Sequence, residues 1–113
     1  MAEAKSDQQW LYRIQPTRLE MLTEGPTREE ERLVQEHFDY LCKLVDEGVV
    51  LLAGRTLNQD PTSFGIVIFR APSPEKARAV MEGDPAVRAD VFTAELFPYS
   101  VALVGSLDEM CAD

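Results

Sequence analysis

The chain has 113 residues, enough for one hydrophobic core and too few for two, and its 45% hydrophobic and 27% charged residues are the usage of a folded domain. A formal net charge of −9, with the 11 Lys and Arg residues scattered along the sequence, argues against nucleic acid or an anionic membrane as partner and leaves a small molecule or another protein. No apolar run approaches the roughly 20 residues that span a bilayer, Met1–Gln9 has no signal-peptide core, and Cys42 and Cys111 fit neither a disulfide framework nor a metal knuckle, so a cytoplasmic protein with reduced thiols is expected.

Residues 1–9 and 106–113 lack periodicity and read as tails around a domain spanning 10–105. Trp10-Tyr12-Ile14 and Leu19-Met21 alternate apolar with polar residues, and Pro16 shifts the phase between them. The pattern predicts a first strand with a bulge, or an edge strand. Gly25-Pro26 turns the chain, and Thr27-Arg28-Glu29-Glu30 has the form of a capping box. The helix it opens should run to about Glu47, with Leu33, Val34, Phe38, Leu41, Leu44 and Val45 at helical spacing and Gly48 as a left-handed stop.

Val49–Thr56 and Ser63–Arg70 read as two strands joined by a turn-rich segment and are expected to form a hairpin. Ser73-Pro74 supplies the cap and first residue of a second helix that Gly83 ends, and Asp84-Pro85 can open a further short turn. Thr93–Val104 is the last strand. The order strand, helix, strand, strand, helix, strand suits an α+β, ferredoxin-like βαββαβ fold: a four-stranded antiparallel sheet with two helices on one face. Yet 49–52, 66–69 and 101–104 are unbroken apolar runs, the pattern of strands covered on both faces. Two helices cover one face, so a dimer packing sheet against sheet is expected; loops or tails folding back over that face are the alternative.

His37, the single histidine, falls inside the apolar stripe of the first helix, within an arc of roughly 140° shared with Leu33, Phe38, Leu41, Leu44 and Val45. A ring there suits a neutral, proton-accepting imidazole. Spacing alone equally allows a core histidine satisfied by its neighbours. Asp84 places a carboxylate where one helix stops and another turn starts; a simple N-cap is the competing reading. Arg55, closing an apolar strand, could hold a carboxylate or phosphate at a pocket rim, and Tyr12 and Tyr99 could line that pocket, although strand aromatics commonly serve the core. There is no phosphate loop, dinucleotide fingerprint, nucleophile elbow or metal-ligand spacing, so no cofactor and no metal are expected.

Taken in order, these pieces resemble the YCII-related domain family of the dimeric α/β-barrel superfamily. The resemblance runs over Trp10–Gly105 and rests on His37 followed by Tyr40-Leu41, Leu44 and Gly48, then Leu52-Ala53-Gly54-Arg55, Phe64-Gly65, Ser73-Pro74-Glu75-Lys76-Ala77, Gly83-Asp84-Pro85 and Phe97-Pro98-Tyr99. It implies a ferredoxin-like protomer, a homodimer with apposed sheets, and a histidine–aspartate site that maps onto His37 and Asp84. The chain departs from the family pattern at Ala86, where a bulky aromatic often follows Asp-Pro, at Asp90, where glycine is usual, and at Tyr99, where tryptophan is common.

Two functions are compatible with these residues. One is a cofactor-independent enzyme, isomerase-like or lyase- and dehalogenase-like, in which His37 moves a proton and Asp84 orients the ring. The other is a non-catalytic dimer that binds a small ligand or a protein through the same fold.

Overall fold

The structure is a computed structural model and describes residues 8–107. Cys111 and most of both expected tails lie outside the described residues.

Strand β1 (Gln8–Pro16) buries Trp10, Tyr12 and Ile14 on one face, as period-2 alternation requires. Gln8 and Gln9 already belong to the strand, two residues before the expected domain start. Pro16 carries no N–H for a ladder, and the N–H of Thr17 instead reaches the carbonyl of Val91 at 2.9 Å. The chain then turns into the short helix α1 (Glu20–Thr23), so the expected strand stretch Leu19-Met21 is helical. Two apolar residues with one between them fit either period, and only the break at Pro16 decides.

Helix α2 (Arg28–Asp46) opens with both legs of the capping box: Glu30 N–H donates to Thr27 Oγ1 at 3.1 Å, and Thr27 N–H to Glu30 Oε1 at 2.8 Å. Gly48, at φ 80°, turns the chain out of the helix. Strands β2 (Val50–Arg55) and β3 (Gly65–Ala71) follow, then α3 (Pro74–Glu82) capped by Ser73, the one-turn α4 (Pro85–Arg88) capped by Asp84, and β4 (Phe92–Tyr99).

The four strands form one antiparallel sheet in the order β2-β3-β1-β4. This is the ferredoxin-like α+β fold read from the sequence, with the one-turn helices α1 and α4 added. The core lies between the sheet and its helices: Trp10, Tyr12, Ile14, Val67 and Phe69 from the strands meet Leu41, Ala77 and Met81. The indole N–H of Trp10 is satisfied by the carbonyl of Ala71 at 3.1 Å. A second cluster, Leu33, Ala86 and Val91, locks α4 to α2.

Two further expectations are corrected. Strand β4 stops at Tyr99 rather than Val104, and Tyr99 opposite Gln9 is the last pair of its ladder with β1 among the described residues. Residues 101–107 continue without regular structure, and Leu103 and Val104 are 92% and 84% exposed. Phe38 and Val45, assigned to the buried stripe of α2, are 60% and 53% exposed, because they line the open cleft between α2 and β2. Among the described residues, Leu52, Phe97 and Tyr99 of the outer sheet face are exposed, the bare face that two helices on one side leave in a single chain. The gap between α2 and β2 is where the chemistry-bearing residues gather.

Candidate active site

His37 projects from α2 into a cleft of about 530 Å³. Its floor is Ile14, Gly65 and Val67 of the sheet, α2 contributes Val34, Phe38, Leu41 and Val45, and Ala53, Gly54 and Arg55 of β2 form the far wall. Phe92 meets the imidazole edge-on, with ring centroids 5.2 Å apart and planes at 78°. The lining is mostly apolar with a few convergent polar groups, the usual make-up of a small-molecule site.

Behind the ring, Nδ1 of His37 lies 2.6 Å from Oδ2 of Asp84, whose side chain is wholly buried. Gly83 ends α3 and Pro85 starts α4, so Asp84 is fixed at their junction with its carboxylate turned inward. Oδ1 accepts the N–H of Ala86 at 3.0 Å, the N-cap bond read from the sequence. Oδ2 accepts the Tyr12 hydroxyl at 2.7 Å in addition to facing His37. Capping and ring orientation are thus performed by different oxygens of one carboxylate, and a buried charge with three donors is the arrangement that burial demands.

An ionised Asp84 can only accept, so the proton between it and His37 belongs to Nδ1. In the neutral form of the ring the lone pair would then lie on Nε2. Burial, and then the negative charge of Asp84, push the Tyr12 phenol far above its ordinary value, so Tyr12 stays a donor. Tyr40, one turn from His37, is raised in the same direction by burial and then by Asp84. Its hydroxyl donates to the carbonyl of Val80 at 2.7 Å, tying α2 to α3.

The five residues singled out from sequence are distributed unevenly. His37, Asp84 and Tyr12 form one hydrogen-bonded group, and Arg55 lines the same cleft from the end of β2. Tyr12 does not line the cleft as expected. Its alternation with Trp10 and Ile14 sends it beneath the helices, where it is fully buried. Tyr99 lies on the outer face, beside a separate cavity of about 600 Å³ that Leu51, Leu52, Ile68 and Leu103 also line. Odd and even positions of β4 point to opposite faces, so Tyr99 cannot share a pocket with His37 in the same chain. Ala86 is buried with Leu33 and Val91 and forms no wall of the cleft. Phe92 was missed, since an aromatic at the start of a strand gives no sign that it meets a helix histidine.

Among the described residues no group of three or more His, Cys, Asp or Glu side chains could hold a metal ion, and no helix is long and apolar enough to cross a membrane.

A four-stranded ferredoxin-like sheet with a buried carboxylate behind a cleft-facing histidine defines a class of small α+β proteins built around one helix–sheet cleft. Residues 11–98 match the model of the YCII-related domain, and the chain belongs to that family. No curated protein matches the sequence significantly. Among solved structures, the chain is similar to the 5-chloro-2-hydroxyhydroquinone dehydrochlorinase of Burkholderia phenoliruptrix in complex with 2,5-dihydroxybenzoquinone, at 17% identity and a TM-score of 0.57 over 80% of this chain and 93% of that one. It is also similar to an uncharacterised protein of Thermotoga maritima, at 9% identity and a TM-score of 0.52 over 83% of this chain and 99% of that one. At these identities the likeness is one of fold.

Proposed function

We propose that this protein is a cofactor-independent enzyme that moves a proton on a small, largely apolar molecule held between α2 and β2. The observation that carries this reading is the 2.6 Å approach of His37 Nδ1 to a buried carboxylate, with the other ring nitrogen left for an apolar cleft. In the proposed cycle Nε2 takes a proton from the substrate, the ring becomes imidazolium, and the Asp84 charge stabilises it. Returning that proton to a different atom of the substrate completes an isomerisation; delivering it to solvent while a leaving group departs completes a lyase- or dehalogenase-like elimination. Arg55, at the cleft wall, takes the anionic end of the substrate or the oxyanion formed when the proton leaves. The dehydrochlorinase of similar fold, solved with a dihydroxybenzoquinone, makes phenolic and quinone compounds the first to try.

The decisive assay screens wild type, His37→Ala and Asp84→Asn against small phenolic, quinone and lactone compounds. Wild type should turn over at least one, with His37→Ala slower by about 10²-fold or more. Equal turnover by His37→Ala on every responsive compound would remove the histidine from the mechanism.

The same reading includes a homodimer in which the open outer faces, with Leu52, Phe97 and Tyr99, pack on one another, in a cytoplasmic protein whose Cys42 is a free thiol. Sedimentation of wild type and Leu52→Glu checks the first part: a dimer that Leu52→Glu converts to monomer agrees with it, and a monomeric wild type at tens of micromolar contradicts it.

A further inference from the structure

Asp84 Oδ2 faces two donors at once. The Tyr12 hydroxyl reaches it at 2.7 Å and Nδ1 of His37 at 2.6 Å, while Oδ1 is committed to the backbone of α4. Each donor draws on the negative charge of the same atom, so what Tyr12 takes is not available to the imidazolium. Tyr12 cannot turn elsewhere. It is fully buried, Phe69 stands edge-on to its ring with centroids 5.8 Å apart, and its strand neighbours across the ladders are Val67 and Leu96.

We propose that Tyr12 is a positioning residue that tunes the basicity of His37 by sharing Asp84 Oδ2 with it. This rests on the reading of His37 as a proton-transferring base and adds how its strength is set. A lone carboxylate against an imidazole strongly favours the charged ring and would leave it a protonated, ineffective base near neutrality. A second, non-titrating donor on the same oxygen weakens that pull while holding the carboxylate in place. Tyrosine suits the task because burial keeps its proton on across the whole working range. A core phenylalanine would fill the same space without this effect.

Other charged or titratable groups share the cleft with His37: Arg55 from β2 and Cys42 and Asp46 from α2 itself; Tyr40, one turn along α2, directs its hydroxyl to Val80, and Glu36 and Arg88 line a separate cavity between α2 and α4. Strand β4 contributes the uncharged Phe92. All are unchanged by a substitution at Tyr12, so a difference measurement removes them.

The test is an NMR titration of the His37 ring in wild type and Tyr12→Phe, repeated in an Asp84→Asn background. Because the chain has one histidine, the signal needs no assignment. Tyr12→Phe should raise the His37 pKa by about 0.5–1 unit, and the rise should vanish when Asp84 is Asn. Phe69→Leu, which loosens the packing around Tyr12 but keeps its hydroxyl, is the control for a structural role and should leave the titration in place. An unchanged or lowered pKa in Tyr12→Phe overturns the proposal, and so does an equal rise in the Asn background or in Phe69→Leu. The titration needs no substrate, so a failed activity screen and a failed role for Tyr12 are told apart.

Discussion

Replacing Asp84 by Ala leaves the Tyr12 hydroxyl and the N–H of Ala86 without their acceptor, while the His37 ring can move its proton to Nε2. Unsatisfied buried donors cost about 1–3 kcal/mol each, so Asp84→Ala should lower stability by about 2 kcal/mol or more in urea titration. Asp84→Asn keeps the shape and one acceptor for Ala86, and should lose distinctly less stability than the Ala variant. A smaller effect of Ala than of Asn would mean that the pair is not formed in solution. Elsewhere, Asp90 sits at φ 62°, a left-handed conformation that glycine adopts without strain. Asp90→Gly should be tolerated or raise the unfolding midpoint slightly. His37 and Asp84 were legible as single residues, one from its place in an apolar stripe and the other from Gly83 and Pro85. Their meeting was implied by resemblance alone, since no local pattern links positions 47 residues apart.

At the scale of elements, the start of α2 couples a cap to a charge. Two hydrogen bonds from the Arg18 guanidinium, at 2.8 Å each, come first and the N–H of Thr27 second in holding the Glu30 carboxyl down to about 2 from its ordinary 4.5. A folded-state value below the unfolded one contributes stability that is complete above pH 4.5 and drains away as pH falls toward 2. Glu30→Gln keeps an acceptor for Thr27 but removes the charge. Its stability should therefore fall less steeply than that of wild type between pH 4.5 and 2. Identical slopes would show that Arg18 and Glu30 are not paired in solution. At the other junction, a Cβ on Gly83 would come within 2.8 Å of the Tyr40 hydroxyl and 3.0 Å of the Ala79 carbonyl. Gly83→Ala should cost about 1–3 kcal/mol by pushing Tyr40 off Val80. The long, capped α2 was readable because its signals are local, a capping box at one end and a glycine stop at the other. The end of β4 was not, because residues 101–104 are apolar enough to continue a strand, and apolar character alone does not mark where a ladder ends.

For the molecule as a whole, the apolar runs in β2 and β3 carried two messages that the sequence merged. One side of each run meets the core. The other side, around Leu52, stays open within the chain, and Ala53, Gly54 and Arg55 of β2 border the cleft that α2 lines from the other side. Runs of buried-type residues report that a surface is apolar, and leave unsaid whether a helix, a ligand or a second chain covers it. For this reason the fold was legible while the cleft was not, and Tyr99, offered as a pocket-lining residue, lies on the outer face away from His37. Leu52→Glu bears on the dimer alone, and its effect on the oligomer should leave the His37 titration intact.

The central claim is that His37 presents an unprotonated Nε2 to the cleft because Asp84 claims the proton on Nδ1. Long-range ¹H–¹⁵N correlation of the single histidine ring, recorded above its titration midpoint, reads the tautomer directly. The expected spectrum is that of the Nδ1–H form, shifting to the Nε2–H form in Asp84→Ala. A wild-type ring found in the Nε2–H form would contradict the account, because its free lone pair would then face a carboxylate and no base would face the cleft.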